Sequence, residues 1–60
     1  MQTKATELAV GDVVFYNGMK MTIQKISKGR CAIDITLVNT LAKLTSYVTV
    51  DYDEEFEEVL

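Results

Sequence analysis

The sequence of 60 residues contains no histidine, no tryptophan and no proline, and it has a single cysteine, Cys31. One cysteine cannot form an internal disulfide, and without histidine a conventional zinc cage lacks its ligands. A chain this short buries only about 60% of the surface that its unfolded form exposes, so small domains commonly need such supports. The remaining ways to stabilise the fold are an efficient apolar core and self-association. We expect no metal and no cofactor.

Long apolar runs are absent as well. No stretch approaches the roughly 20 apolar residues of a membrane span, and the first ten residues lack the apolar run of a signal peptide. We therefore expect a cytoplasmic protein without membrane contact, and a lone thiol fits a reducing compartment. Hydrophobic residues make up 48% of the chain, which is typical of a globular protein, so residues 1–60 are expected to form one domain.

Charge is distributed unevenly along this small acidic protein, whose net charge is −3. Residues 1–50 hold all six basic groups and three acids, for a net charge of +3. Residues 51–60 hold the other six acids and no base, for a net charge of −6. A mildly basic body thus precedes an acidic end.

The segment from residue 13 to residue 23 has the strongest turn signal in the sequence. Asn17 and Gly18 lie between two apolar, β-rich runs, and this pair favours a two-residue type I′ hairpin because both residues tolerate positive φ. Directly opposed residues share a face of the sheet, so counting outward from the turn predicts the register. The predicted pairs are Tyr16 with Met19, Phe15 with Lys20, Val14 with Met21, and Val13 with Thr22. The core face would hold Val14, Tyr16, Met19, Met21 and Ile23, and the outer face would hold Val13, Phe15, Lys20 and Thr22.

Three further strands are predicted by alternation of apolar and polar residues. Residues 31–37 place Cys31, Ile33, Ile35 and Leu37 on one buried side. Residues 44–52 form a fourth strand, and residues 56–60 form a short last strand in which Phe56 and Val59 or Leu60 close the core.

Two places in this pattern are irregular. Ile26 is out of phase with Ile23, which indicates a β-bulge or the end of the second strand. Residues 39–44 form either a single helical turn capped by Asn39 or Thr40, or a hairpin loop, which we favour.

The order of these features resembles the small SH3-like barrels of bacteria and their phages, in particular short proteins that open with a Gly-Asp-x-Val strand and carry a Met-Thr-Val segment on the next strand. The residues that carry the match are Gly11, Asp12, Val14, Gly18, Met21, Thr22 and Ile23. The resemblance implies an all-β fold, a small five-stranded SH3-like barrel with a short helical turn before the last strand, and binding rather than catalysis. Closing so small a sheet would also protect its edges.

No catalytic signature is present. Cys31 is the only thiol, but the usual base for a nucleophile is absent and its phase with Ile33 predicts a buried core cysteine. The carboxylates of residues 51–58 lie in a crowded run that we expect to be solvated, and Phe56 stands where a calcium loop requires glycine. The glycines are isolated, unlike those of a phosphate-binding loop. We expect a protein that is not an enzyme.

A binding module with a protein partner is the leading hypothesis, and a phage-type modulator of a host protein is one form of it. Exposed apolar side chains often mark an interface, and the candidates are Val13, Phe15 and Tyr47. Two alternatives involve nucleic acid. In the first, Phe15 stacks on a base while nearby cations contact phosphates, the candidates being Lys20, Lys25, Lys28 and Arg30. In the second, an acidic row imitates phosphates and inhibits a nucleic-acid-handling enzyme, the candidates being Asp51, Asp53 and Glu55 on one face of an extended segment. A homo-oligomer is compatible with each hypothesis.

Overall fold

The computed structural model describes residues 2–59 as one antiparallel sheet of six strands. The strands are β1 (Gln2–Lys4), β2 (Val13–Tyr16), β3 (Met19–Lys28), β4 (Ile33–Asn39), β5 (Leu44–Val50) and β6 (Glu55–Glu58). Their order in the sheet is β1-β6-β2-β3-β4-β5, so β1 and β5 form its two edges. The helical structure in this part of the chain is a 3₁₀ helix at Ala5–Glu7.

The predicted all-β class is confirmed, but the strand count and the closure differ from the prediction. The sheet has six strands rather than five and is not closed, because no pairing joins β1 to β5 within residues 2–59. The additional strand, β1, has three residues, which is too short for alternation to reveal. The helical turn predicted before the last strand is also wrong. A reverse turn lies there, in which the Glu54 N–H donates to the Asp51 carbonyl oxygen at 3.1 Å.

The hairpin of β2 and β3 has the predicted register at all four pairs. Asn17 and Gly18 have φ values of 53° and 75°, as a type I′ turn requires. Local turn chemistry therefore determines which residues of β2 and β3 face the core.

A β-bulge explains the phase of Ile26. The register of β3 against β4 shifts between Ile23, which pairs with Leu37, and Lys25, which pairs with Thr36. The extra residue brings Ile26 opposite the buried Ile35. The bulge interpretation is confirmed, and β3 continues past it to Lys28.

Cys31 is exposed, so the prediction of a buried cysteine is wrong. Strand β4 begins only at Ile33, and Cys31 lies in the preceding bend, where alternation between faces does not apply. The Gly29 N–H donates to the Ala32 carbonyl oxygen at 2.8 Å and closes this bend. The alternation itself is correct for Ile33, Ile35 and Leu37, which are all buried.

The segment between β4 and β5 is a hairpin loop, as favoured. The Asn39 side chain organises it, since its Oδ1 accepts the Ala42 N–H at 2.9 Å and its Nδ2 donates to the Lys20 carbonyl oxygen at 3.1 Å. Lys43 has a φ of 56°, which lets the chain reverse into β5. The loop leaves Leu41 97% exposed.

The core lies on one face of the sheet, which we call the inner face. Nine hydrophobic side chains are buried there, among them Phe56 as predicted, while Leu60 lies outside the described residues. The buried residues are Ala5, Leu8, Val14, Met21, Ile23, Ile33, Ile35, Leu37 and Phe56. Because residues 2–59 provide no second layer beyond a short 3₁₀ helix, the sheet must curl to bury its inner face upon itself.

Three contacts hold the curled sheet together at the end where β3 turns into β4. The Tyr52 hydroxyl donates to the Gly29 carbonyl oxygen, which ties the β5–β6 turn to the β3–β4 bend. The Lys28 ammonium donates to the Thr6 carbonyl oxygen at 3.5 Å, and the Ala5 N–H donates to the Glu54 carbonyl oxygen at 2.8 Å. Within residues 2–59, no helix has the length and apolarity needed to cross a membrane.

Candidate binding surface

The face opposite the core, which we call the outer face, carries Phe15 between two opposite charges. Phe15 lies on β2 and pairs with Lys20 on β3 and with Glu57 on β6. Directly opposed residues share a face, so Lys20 and Glu57 lie on the same face as Phe15, one on each neighbouring strand. The ring is 39% exposed and therefore available to a partner.

The next row of the outer face continues this surface across the sheet. Val13 pairs with Thr22, which pairs with Val38 on β4. All three side chains are half-buried. We define the Phe15 patch as Val13, Phe15, Thr22 and Val38 with Lys20 and Glu57 at its rim.

The position of the patch depends on the turn that leads into β2. The Asp12 carboxylate accepts the Ala9 N–H at 2.9 Å, and Gly11 supplies a φ of 100°. The Gly11 N–H and the Asp12 carbonyl oxygen then bond to the backbone of Ile23 at 2.9 and 2.8 Å. The Gly-Asp pair thus aligns β2 against β3 and orients Val13 and Phe15.

Tyr47 lies on the same face but not in the same patch. It is 81% exposed on β5 and pairs with Thr36, which pairs with Lys25. Three strand spacings separate β5 from β2, or about 14 Å at the usual distance between strands. The sequence predicts Tyr47 and Phe15 as candidates for the same interface, whereas the structure places them at separate positions on the outer face.

A shallow depression of about 490 Å³ lies beside Tyr47. Its lining residues are Gln24, Lys25, Ser27, Asp34, Thr36 and Tyr47. The Asp34 carboxylate accepts the Thr49 hydroxyl at 2.7 Å, so its charge already has a partner. Sequence reasoning missed this depression because it requires both the bulge and the β3–β4 register, although the phase of Ile26 signalled the bulge.

The basic residues proposed for nucleic acid do not form one stripe. Lys20 and Lys25 lie on the outer face, whereas Lys28 pairs with the buried Ile33 and so lies on the other side of β3. Lys20 and Lys28 are eight residues apart on one strand, or about 26 Å in extended backbone. Arg30 lies in the exposed bend after β3.

The acidic segment is not a tail. Strand β6 lies between β1 and β2, and the turn before it interrupts the extended backbone that would have aligned Asp51, Asp53 and Glu55. Glu55 pairs with Lys4 on the outer face, whereas the Glu58 carboxylate accepts the Thr3 hydroxyl at 2.6 Å. Residues 2–59 contain no cluster of three or more side chains suited to holding a metal ion.

No protein-family model matches the chain, and no curated protein is significantly similar to it. The inference of function therefore depends on the outer face itself. Phe15 and Tyr47 are both exposed aromatic residues of this face, but Phe15 lies on the same strand as the half-buried Val13 and between Lys20 and Glu57, whereas the residues that line the depression beside Tyr47 are polar.

Proposed function

We propose that this protein is a non-enzymatic binding module whose Phe15 patch binds another protein. The observation that carries the proposal is the row of Lys20, Phe15 and Glu57, in which an exposed aromatic residue lies between a lysine and a glutamate of the two neighbouring strands. Protein interfaces commonly combine an apolar, aromatic-rich centre with a polar rim. The Phe15 patch has this arrangement on a small scale.

The rim charges favour a protein partner over nucleic acid. A phosphate backbone would be attracted to Lys20 but repelled by Glu57 on the other side of Phe15. A protein surface can place a carboxylate opposite Lys20 and a cation opposite Glu57, and such complementarity also fixes the orientation of the complex.

The position of the patch within the sheet supports the same function. Strands β2 and β3 are interior strands, and the cross-strand pairs of Phe15 and Val13 hold both side chains on rigid backbone. A preorganised surface loses less conformational entropy when it binds, so even a small patch can contribute useful affinity. We expect a few apolar contacts around Phe15 to dominate binding.

We further propose that the fold is a variant of the SH3-like barrel that acts in the cytoplasm. Strands β2 to β6 form a curled sheet in which the last strand returns to pair with β2, and the bulge in β3 favours bending. β1 would then be an addition to the five-stranded pattern. An exposed Cys31 thiol supports the reducing compartment, where such a group persists unpaired.

Affinity capture with matched variants tests the proposed surface. Tagged protein, Phe15→Ala and Leu41→Ala are each immobilised, and a nuclease-treated bacterial lysate is passed over them. Leu41 is a suitable control because it is a large apolar side chain that is 97% exposed in a loop outside the patch. Since Phe15 is partly buried, Lys20→Glu provides a second variant with little risk to folding.

We expect a discrete protein to be retained by the unmodified chain and by Leu41→Ala, and to be reduced at least tenfold with Phe15→Ala. Lys20→Glu should weaken capture most at low salt, because added salt screens the attraction between exposed rim charges and the partner. Equal capture by all variants, or recovery that disappears with nuclease, would overturn the proposal.

A further inference from the structure

Strand β5 is an edge without the protection that edge strands normally carry. It has seven residues, Leu44–Val50, and none of them is charged, a glycine or a proline. Within residues 2–59, β5 pairs with β4 on one side and with no strand at its other edge. The opposite edge, β1, is blunted because it has only three residues and includes Lys4. Proteins usually shorten, charge or bulge an edge to prevent pairing with another chain, so β5 is arranged to pair.

The sequence of β5 is complementary to itself when two copies run antiparallel. In an antiparallel pair, directly opposed residues point to the same side of the sheet. If the two strands are related by a two-fold axis perpendicular to the sheet, one residue must therefore lie opposite its own copy, and the axis passes between the two copies of that residue. Tyr47 is the middle residue of β5, and only an axis there pairs all seven residues. The resulting pairs are Leu44 with Val50, Thr45 with Thr49, Ser46 with Val48, and Tyr47 with itself.

Charge complementarity selects the same register. Lys43 immediately precedes β5 and Asp51 immediately follows it. With the axis at Tyr47, Lys43 of each copy lies beside Asp51 of the other, which gives two attractive pairs per dimer. Moving the axis by one residue in either direction loses both pairs. The uncharged strand and the opposite charges at its two ends therefore specify one arrangement.

We propose that two copies of this chain associate through antiparallel pairing of their β5 strands about a two-fold axis at Tyr47. The dimer joins two six-stranded sheets into one and removes the free edge. The dimer also buries additional surface, because a 60-residue domain without a disulfide buries little surface by itself. The dimer leaves the Phe15 patch of each copy free, since the residues of that patch lie on the interior strands β2, β3, β4 and β6.

Site-specific disulfide trapping tests the register. In a Cys31→Ser background, Tyr47→Cys places two thiols opposite each other, with Cα atoms about 4.5–5.5 Å apart, which a disulfide spans. Thr45→Cys is the matched control on the same face, because its two copies would lie four residues apart, or about 13 Å. Tyr47 and Thr45 are both exposed, so neither change should disturb the fold, and circular dichroism verifies this.

We expect mild oxidation to convert Tyr47→Cys to a covalent dimer at least tenfold faster than Thr45→Cys. Sedimentation equilibrium of the unmodified protein should show a mass that rises from one copy to two with concentration. Lys43→Glu should weaken the dimer about tenfold at low salt, and adding Asp51→Lys should restore it, since the pair is then reversed in both places. A monomer at every concentration up to about 1 mM, or equal trapping at both positions, would overturn the proposal.

The dimer and the proposed function can fail independently. Phe15→Ala should reduce partner capture at least tenfold and leave the sedimentation mass unchanged. Lys43→Glu should shift the sedimentation mass and leave the Phe15 patch able to bind.

Discussion

Replacing Leu37 by alanine tests whether the hydrophobic core on the inner face of the sheet stabilises the fold. Leu37 is fully buried on β4 and pairs with Ile23 on one side and Ser46 on the other. Buried Leu→Ala changes cost about 2.7–5.0 kcal/mol, because transfer free energy is lost and a cavity remains. Leu41→Ala makes the same chemical change four residues away, at a side chain that is 97% exposed. Its cost should stay within about 0.5 kcal/mol.

The stability that Leu37→Ala is expected to remove is large relative to the total free energy of unfolding. A free energy of unfolding of about 0.05–0.15 kcal/mol per residue corresponds to roughly 3–9 kcal/mol for 60 residues. Leu37→Ala should therefore remove between a third and all of it. With a urea m-value of about 1 kcal/mol/M for a small domain, a loss of 3 kcal/mol lowers the midpoint by about 3 M.

Equilibrium unfolding in urea, followed by far-UV circular dichroism, measures both variants. The protein concentration should be low and constant, because a dimer would add stability that depends on concentration. A loss below about 1 kcal/mol for Leu37→Ala, or equal losses for the two variants, would refute the description of a single core on the inner face.

Two further predictions concern the turns. Gly18→Ala should cost roughly 1–2 kcal/mol in the same urea assay, because the φ of 75° is strained for a residue with a Cβ although open space surrounds the position; an unchanged midpoint would contradict the type I′ turn. Cys31 should react with a thiol reagent in the native protein at nearly the rate of the urea-unfolded chain, because it is exposed in the bend before β4; a rate more than a hundredfold slower would place it in the core instead.

The sequence was most informative where local chemistry determines structure. Asn17 and Gly18 specify a turn, and the turn specifies the register of four residue pairs without reference to the rest of the chain. The phase of Ile26 likewise indicated a bulge or the end of the strand, because a single extra residue shifts every later side chain to the other face, and the register of β3 against β4 shows the bulge.

Long-range features were not accessible in the same way. The three-residue β1 exists only because β6 provides a partner for it, and nothing in residues 2–4 signals that pairing. Cys31 continued an alternating pattern, but alternation cannot show where a strand begins. The curl of the open sheet also depends on contacts between distant turns, such as Tyr52 with Gly29.

The candidate site shows the same division. The pairing of Phe15 with Lys20 followed from the hairpin, whereas Glu57 on the other side of Phe15 required knowledge that β6 lies beside β2. Tyr47 was grouped with Phe15 because both alternate outward, and only the strand order shows how far apart they lie.

Photo-crosslinking from the rim of the Phe15 patch tests the central claim most directly. A benzophenone amino acid replaces Lys20, which is exposed beside Phe15, and a control chain carries it at Leu41. The proposed function predicts that irradiation in bacterial cells yields one discrete protein adduct from position 20, lost when Phe15→Ala is added, and none of that mass from position 41. Adducts that are the same from both positions, or that persist with Phe15→Ala, would contradict it.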